Sequence, residues 1–148
     1  MRLENEVRWE HMFPHELEAA FARCAAVYFA YGLCEPHGPQ NTLGLDALKA
    51  HGILVRTAQA HGGIVAPPDY WHVHEIAGYA TWAHENIGEV KPWLTAVAPW
   101  IHFKNICYHV RAAETLDFRA AIFLTGHYGP NWHDLKTVLE KLQPYVRM

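Results

Sequence analysis

The stretch Ala25-Ala26-Val27-Tyr28-Phe29-Ala30-Tyr31 runs into Gly32-Leu33-Cys34-Glu35-Pro36-His37-Gly38 and, after seven more residues, into Asp46. Its first seven residues, rich in Val, Tyr and Phe, have the composition of a buried strand. The strand empties into a glycine-punctuated loop that carries a carboxylate, an imidazole and a second carboxylate. Neutral His and ionised Asp or Glu are the donors that Zn²⁺ and Mn²⁺ accept, so the loop reads as a metal site. From spacing alone, a polar loop with a helix-capping Asp46 fits the same residues equally well.

Outward from this stretch, helix and apolar strand alternate. Leu17, Phe21 and Cys24 recur at helical spacing and predict a helix over 14–24; Leu45, Leu48, Val55 and Ala58 predict another over 45–60. A short strand is expected at 63–66, closed by Pro67-Pro68. Residues 69–99 have no clean period and carry Gly78, Gly88, Pro92 and Pro99, as in a loop with short structured pieces. Trp100, Phe103, Cys107 and Val110 give a helix up to about residue 116. A strongly apolar strand over 118–125 then ends at Gly126-His127, and Leu135, Val138, Leu139 and Leu142 place a final helix before Pro144.

This alternation predicts an α/β fold, a layered α/β/α domain with a largely parallel sheet. Ligands bind such sheets beyond the carboxyl ends of the strands. Two strand ends here carry metal-type residues, one leading to Glu35 and His37 and the other to His127.

With 148 residues the chain is expected to form one domain, 1–148. Half of it is hydrophobic, with six Trp and seven Tyr, which is the composition of a packed globule. No run approaches the ~18 apolar residues of a membrane span, and the first residues lack a signal-peptide core, so a cytoplasmic location is expected. A net charge of −3 with scattered Lys and Arg excludes a phosphate-binding face, and nucleic acid with it. Cys24, Cys34 and Cys107 read as reduced thiols, and Cys34 as a packed one. Of the twelve histidines, His11, His15, His51, His61, His84, His102, His109 and His133 read as surface or packing residues. His72 and His74, in a His-x-His, suit a strand's alternation as well as they suit ligands.

Taken together, Gly32-Leu33-Cys34-Glu35-Pro36-His37-Gly38-Pro39, Leu43-Gly44-Leu45-Asp46, Ala66-Pro67-Pro68 and Thr125-Gly126-His127-Tyr128-Gly129 resemble the creatininase (creatinine amidohydrolase) family. The resemblance implies a dinuclear divalent-metal centre of Zn, Mn or Fe. One ion would take Glu35, Asp46 and His127, the other His37, with Asp46 bridging. It places Tyr128 and His74 in the substrate pocket. It implies hydrolysis of a C–N bond in a small cyclic or linear amide through a metal-activated water. Pro36, Gln40 and Thr42 depart from common family residues without touching a ligand. After His127, Gly129 and Pro130 stand where family members have Glu or Asn, with Asn131 one residue displaced, so the second ion lacks its carboxylate.

Family chains continue well beyond the last helix, so the fold is expected to lack its C-terminal part. That part, as a remainder of the same protein or a partner chain, would supply the missing Glu and the general acid; a homo-oligomer is expected too. The alternatives are a non-catalytic subunit that keeps the fold as an assembly or binding module, and an enzyme of the same scaffold acting on a peptide or formamide bond.

Overall fold

The computed structural model describes residues 5–74, 93–127 and 131–148. Three parallel strands form the sheet: β1 (Ala26–Tyr31) at the centre, β2 (Ile64–Val65) on one side and β3 (Ala120–Thr125) on the other. Among the described residues four α-helices flank them: α1 (Pro14–Arg23), α2 (Leu45–His61), α3 (Pro99–Thr115) and α4 (Asn131–Leu142). The expected α/β/α layering is the observed one.

Strand alternation divides the core in two. Val27, Phe29 and Tyr31 of β1 face Ala20 of α1, Ile106 and Ala113 of α3 and Leu135 of α4. Tyr28 and Ala30 face the other way, onto Ala50, Leu54 and Ala58 of α2. Side chains at every second strand position point to one face, so six residues of β1 supply both layers. Alanines on α2 and β1 let helix and strand approach closely.

That approach is closest at the start of α2. A Cβ on Gly32 would lie 2.3 Å from the Ala47 nitrogen, and one on Gly126 would lie 2.1 Å from the Asp46 carbonyl oxygen. Both glycines follow strand ends, β1 and β3, so the first turn of α2 is wedged against the two strand termini at once. Gly52, by contrast, lies mid-helix, and a Cβ there would meet nothing within 4 Å.

Three boundaries differ from those expected. The last strand starts at Ala120, not residue 118, because Asp117 turns with φ 61° and the Phe118 amide donates to the Ala113 carbonyl, closing α3. Phe118 is thereby buried against Trp9 and Phe21. The second strand shrinks to two residues, and the final helix begins at Asn131, earlier than its apolar residues announce. Within 69–99, the described ends carry bridges from Tyr31 to Asp69 and from His72 to Ala96.

The sheet's two edges are treated differently. Beside β2, Arg8 forms a parallel bridge with Val65, whose amide donates to the Val7 carbonyl. The outer edge of β3 has no strand partner among the described residues. A cleft of about 490 Å³ lies there, lined by Phe123, Leu135 and Leu139 among others.

A paired glycine substitution tests the wedge. Gly126→Ala must displace backbone and is expected to cost about 2–4 kcal/mol. Gly52→Ala, at an open helical position, is expected to stabilise by about 0.5–1 kcal/mol. Urea denaturation of the two variants reads both; equal effects of the two would contradict the close approach.

Candidate metal centre

Glu35 stands four residues beyond β1, in a loop closed by its own amide donating to the Leu43 carbonyl at 2.8 Å. Thr95 pins the residue before it: the Cys34 amide donates to Thr95 Oγ1 at 2.7 Å, and the Thr95 amide to the Cys34 carbonyl. Gly38, at φ 84°, supplies the left-handed turn that brings the loop back. Asp46 lies in the first turn of α2, where the helix dipole favours a carboxylate. His127 follows Gly126 at the end of β3.

These three meet. Glu35, Asp46 and His127 each present a donor atom, all within 4.8 Å of one another, and all three are buried. His127 Nδ1 lies 3.0 Å from Glu35 Oε1 and 3.1 Å from Asp46 Oδ2. His37 approaches from the other side, its Nε2 3.3 Å from Asp46 Oδ1 and 3.4 Å from Glu35 Oε1. Its Nδ1–H donates to the Glu35 carbonyl at 3.1 Å, which leaves the Nε2 lone pair facing the carboxylates. Asp46 thus turns one oxygen toward each imidazole. Lys49 Nζ also reaches Asp46 Oδ1, at 3.5 Å, from the exposed side of α2.

His74, assigned by resemblance to a substrate pocket, has its Nε2 3.2 Å from Glu35 Oε2. Tyr128 lies outside the described residues. His72, which its His-x-His spacing leaves undecided between strand alternation and ligation, is wholly buried. It packs against His102, the rings tilted by 39° with centroids 4.0 Å apart, and points Nε2 toward Thr125 Oγ1 at 3.4 Å. Thr125 Oγ1 accepts the His127 amide at 3.2 Å. The one sequence signal for this support is the Thr-Gly-His at the strand end, where a hydroxyl two residues before His127 can hold its backbone.

Electrostatics follow from this packing. Burial raises the Glu35 carboxyl, but hydrogen bonds from His127 and His74 outweigh it and hold the group well below the usual carboxylate range. Burial lowers His127, yet the hydrogen bonds and charges of Asp46 and Glu35 raise it to about 9. His127 therefore serves as the cation between two acids. Burial and neighbouring imidazoles push His72 to about 3 and His102 to about 4, so both are neutral.

Two buried carboxylates with lone pairs converging on one point, joined by two imidazoles, have the chemistry of a divalent transition-metal site. No family model matches the sequence, and neither does any curated protein. Solved structures do match. A creatinine amidohydrolase (creatininase) superposes with a TM-score of 0.70 at 19% identity, over 94% of this chain and 53% of its own. A zinc–zinc form of a mutant creatininase matches at 0.70 and 19%, over 95% and 54%; a manganese creatininase matches at 0.68 and 19%, over 94% and 53%. The fold is creatininase-like. The chain spans about half the length of these structures. Among the described residues, no helix is long and apolar enough to cross a membrane.

Without metal, stability should peak near pH 6.5. His127, raised to about 9, contributes stability that is full below about 6.5 and is lost as pH rises through 9. His72 and His102, lowered, contribute above about 6.5 and lose that contribution as pH falls toward 4. Urea denaturation in chelator from pH 5 to 9.5 should show the alkaline decline disappear in His127→Gln; an unchanged decline in that variant would contradict the assignment.

Proposed function

We propose that this chain carries the metal centre of a metal-dependent amidohydrolase that cleaves a C–N bond of a small cyclic or linear amide. One observation carries the proposal: Glu35, Asp46 and His127 converge, buried, where β1, β3 and α2 meet. Glu35, Asp46 and His127 would hold one divalent ion and His37 would serve a second, with Asp46 shared. The opposite orientations of the two Asp46 oxygens support this bridging role. Zinc, manganese and iron all suit the donor set, and the names of the zinc–zinc and manganese neighbours support divalent ions.

Divalent ions bound there supply Lewis acidity toward an amide carbonyl and lower the pKa of a water. The chain's own residues hold the ions and manage the protons around them. Asp46 and Glu35 offset the mutual repulsion of two cations. His127 gives up the proton it holds between the acids, so cation uptake releases protons below pH 9. The His37 Nδ1–H, tied to the Glu35 carbonyl, keeps its Nε2 directed at the site.

Asp46→Ala should reduce bound metal more than His37→Ala or His127→Ala, because one carboxylate serves both positions. Elemental analysis of the purified variants checks this, and equal losses in all three would contradict the bridge. Release of ammonia or amine from a panel of lactams and small amides tests the reaction itself.

A partner completes the proposed enzyme. The edge of β3 that no described strand covers, and the apolar cleft beside it, fit a strand from the remaining half of a creatininase-like fold, whether it continues this chain or belongs to another. That half would bring the second ion's carboxylate and the general acid. Sedimentation with intact mass measurement should find this chain within a larger assembly; a stable lone monomer with full amidohydrolase activity would refute it.

A further inference from the structure

We propose that the segment 69–74 is a histidine strap: His72 and His74 are positioning residues that fix His127 and Glu35 in their cation-facing orientations before a cation arrives. The inference rests on the metal centre proposed above and assigns its supports.

The strap is anchored at Asp69 and again at His72. The Asp69 amide donates to the Ala30 carbonyl at 2.9 Å and the Gly32 amide to the Asp69 carbonyl at 3.0 Å, extending the sheet past β1. The Asp69 carboxylate accepts the Trp71 amide at 2.8 Å and Asn105 Nδ2 at 2.7 Å, tying the strap to α3. Further on, the Val97 amide donates to the His72 carbonyl at 3.0 Å. A backbone held on both sides presents its side chains with little freedom left to lose.

His72 acts on His127 through Thr125. The Val73 amide donates to His72 Nδ1 at 2.8 Å, so Nδ1 is the unprotonated nitrogen and Nε2–H points at Thr125 Oγ1. That oxygen accepts the His127 amide, and the His72 and His127 rings stand 5.5 Å apart. His74 acts on Glu35 directly. A carboxylate only accepts, so the His74 Nε2–H donates to Oε2, and Oε1 is left for His127. The His74 side chain is only 9% exposed, and its ring lies 5.1 Å from that of His127. Outer partners of this kind set the direction of a ligand's lone pairs, and removing one typically costs ~10–100-fold in metal affinity.

Two measurements on the protein test the strap. In competition titrations with Zn²⁺, His74→Leu and His72→Phe should bind about 10–100-fold more weakly than wild type, while His74→Gln and His72→Asn, which keep a donor, should recover most of the loss. The Co²⁺ absorption spectrum should change in His72→Phe and return in His72→Asn, which a merely structural role would not produce. Wild-type affinity and spectrum in both apolar variants would overturn the proposal. The second measurement needs no metal: ¹⁵N imidazole spectra of the metal-free protein should show His74 protonated at Nε2, with that resonance displaced by Glu35→Gln. An undisplaced resonance also overturns the strap. Failure of the wild-type protein to take up Zn²⁺ or Co²⁺ refutes the metal centre itself, while the imidazole spectra still decide the strap separately.

Discussion

Everything at the candidate centre depends on one steric condition, the seating of the first turn of α2 against the ends of β1 and β3. Two residues without side chains permit it, Gly32 beside Ala47 and Gly126 beside Asp46. If either carried a Cβ, the helix would have to withdraw, and Asp46 would leave the carboxylate of Glu35 and the ring of His127. Chain order makes the arrangement economical. The strand end that supplies Gly32 supplies Glu35 three residues later, and the one that supplies Gly126 supplies His127 next. Each glycine sets the position of the donor that follows it.

That seating creates an electrostatic problem that the rest of the site answers. Glu35 and Asp46 are both nearly inaccessible, at 5% and 2% exposure, and two buried carboxylates side by side repel and lack solvation. Positive charge comes from a protonated His127 between them and from Lys49 at the rim, and His74 adds a hydrogen-bond donor to Glu35. A divalent cation, as proposed above, would be a stronger answer to the same problem and would take the place of the His127 proton. The metal-free arrangement is thus held together by a substitute for the ion.

The creatininase-like α/β fold and the three convergent residues are legible in the sequence because their signals are local. Val, Tyr and Phe in β1 announce a strand, glycine and proline announce its end, and donors clustered after strand ends announce a site. The role of His72 is not legible, since it rests on contacts across more than fifty residues of chain, to Thr125 at the end of β3. The family resemblance brings His74 to the site, but its partner, Glu35, cannot be read from spacing. The late start of β3 has a similar cause: Phe118 is as apolar as a strand residue, and only packing on Trp9 and Phe21 assigns it to the helix cap. For His102, the choice between surface and packing resolves into packing, against Tyr31 and His72.

β3 carries two duties that bear on each other. Its outer edge is the uncovered one among the described residues, and its last residue, Thr125, is the acceptor that holds the His127 amide. An edge strand paired on one side frays more readily than a central strand, because half of its backbone groups look to solvent. Fraying at Thr125 would loosen His127 while Glu35, on the central strand, stayed in place. Covering the edge therefore strengthens the weaker half of the donor set without contacting it. The His72–Thr125 contact works in the same direction from the opposite side, since it ties the end of β3 to a segment anchored on β1 and α3. In the proposed enzyme, assembly and cation binding would in this way be linked through a single strand end, each favouring the other by stabilising the same ordered state.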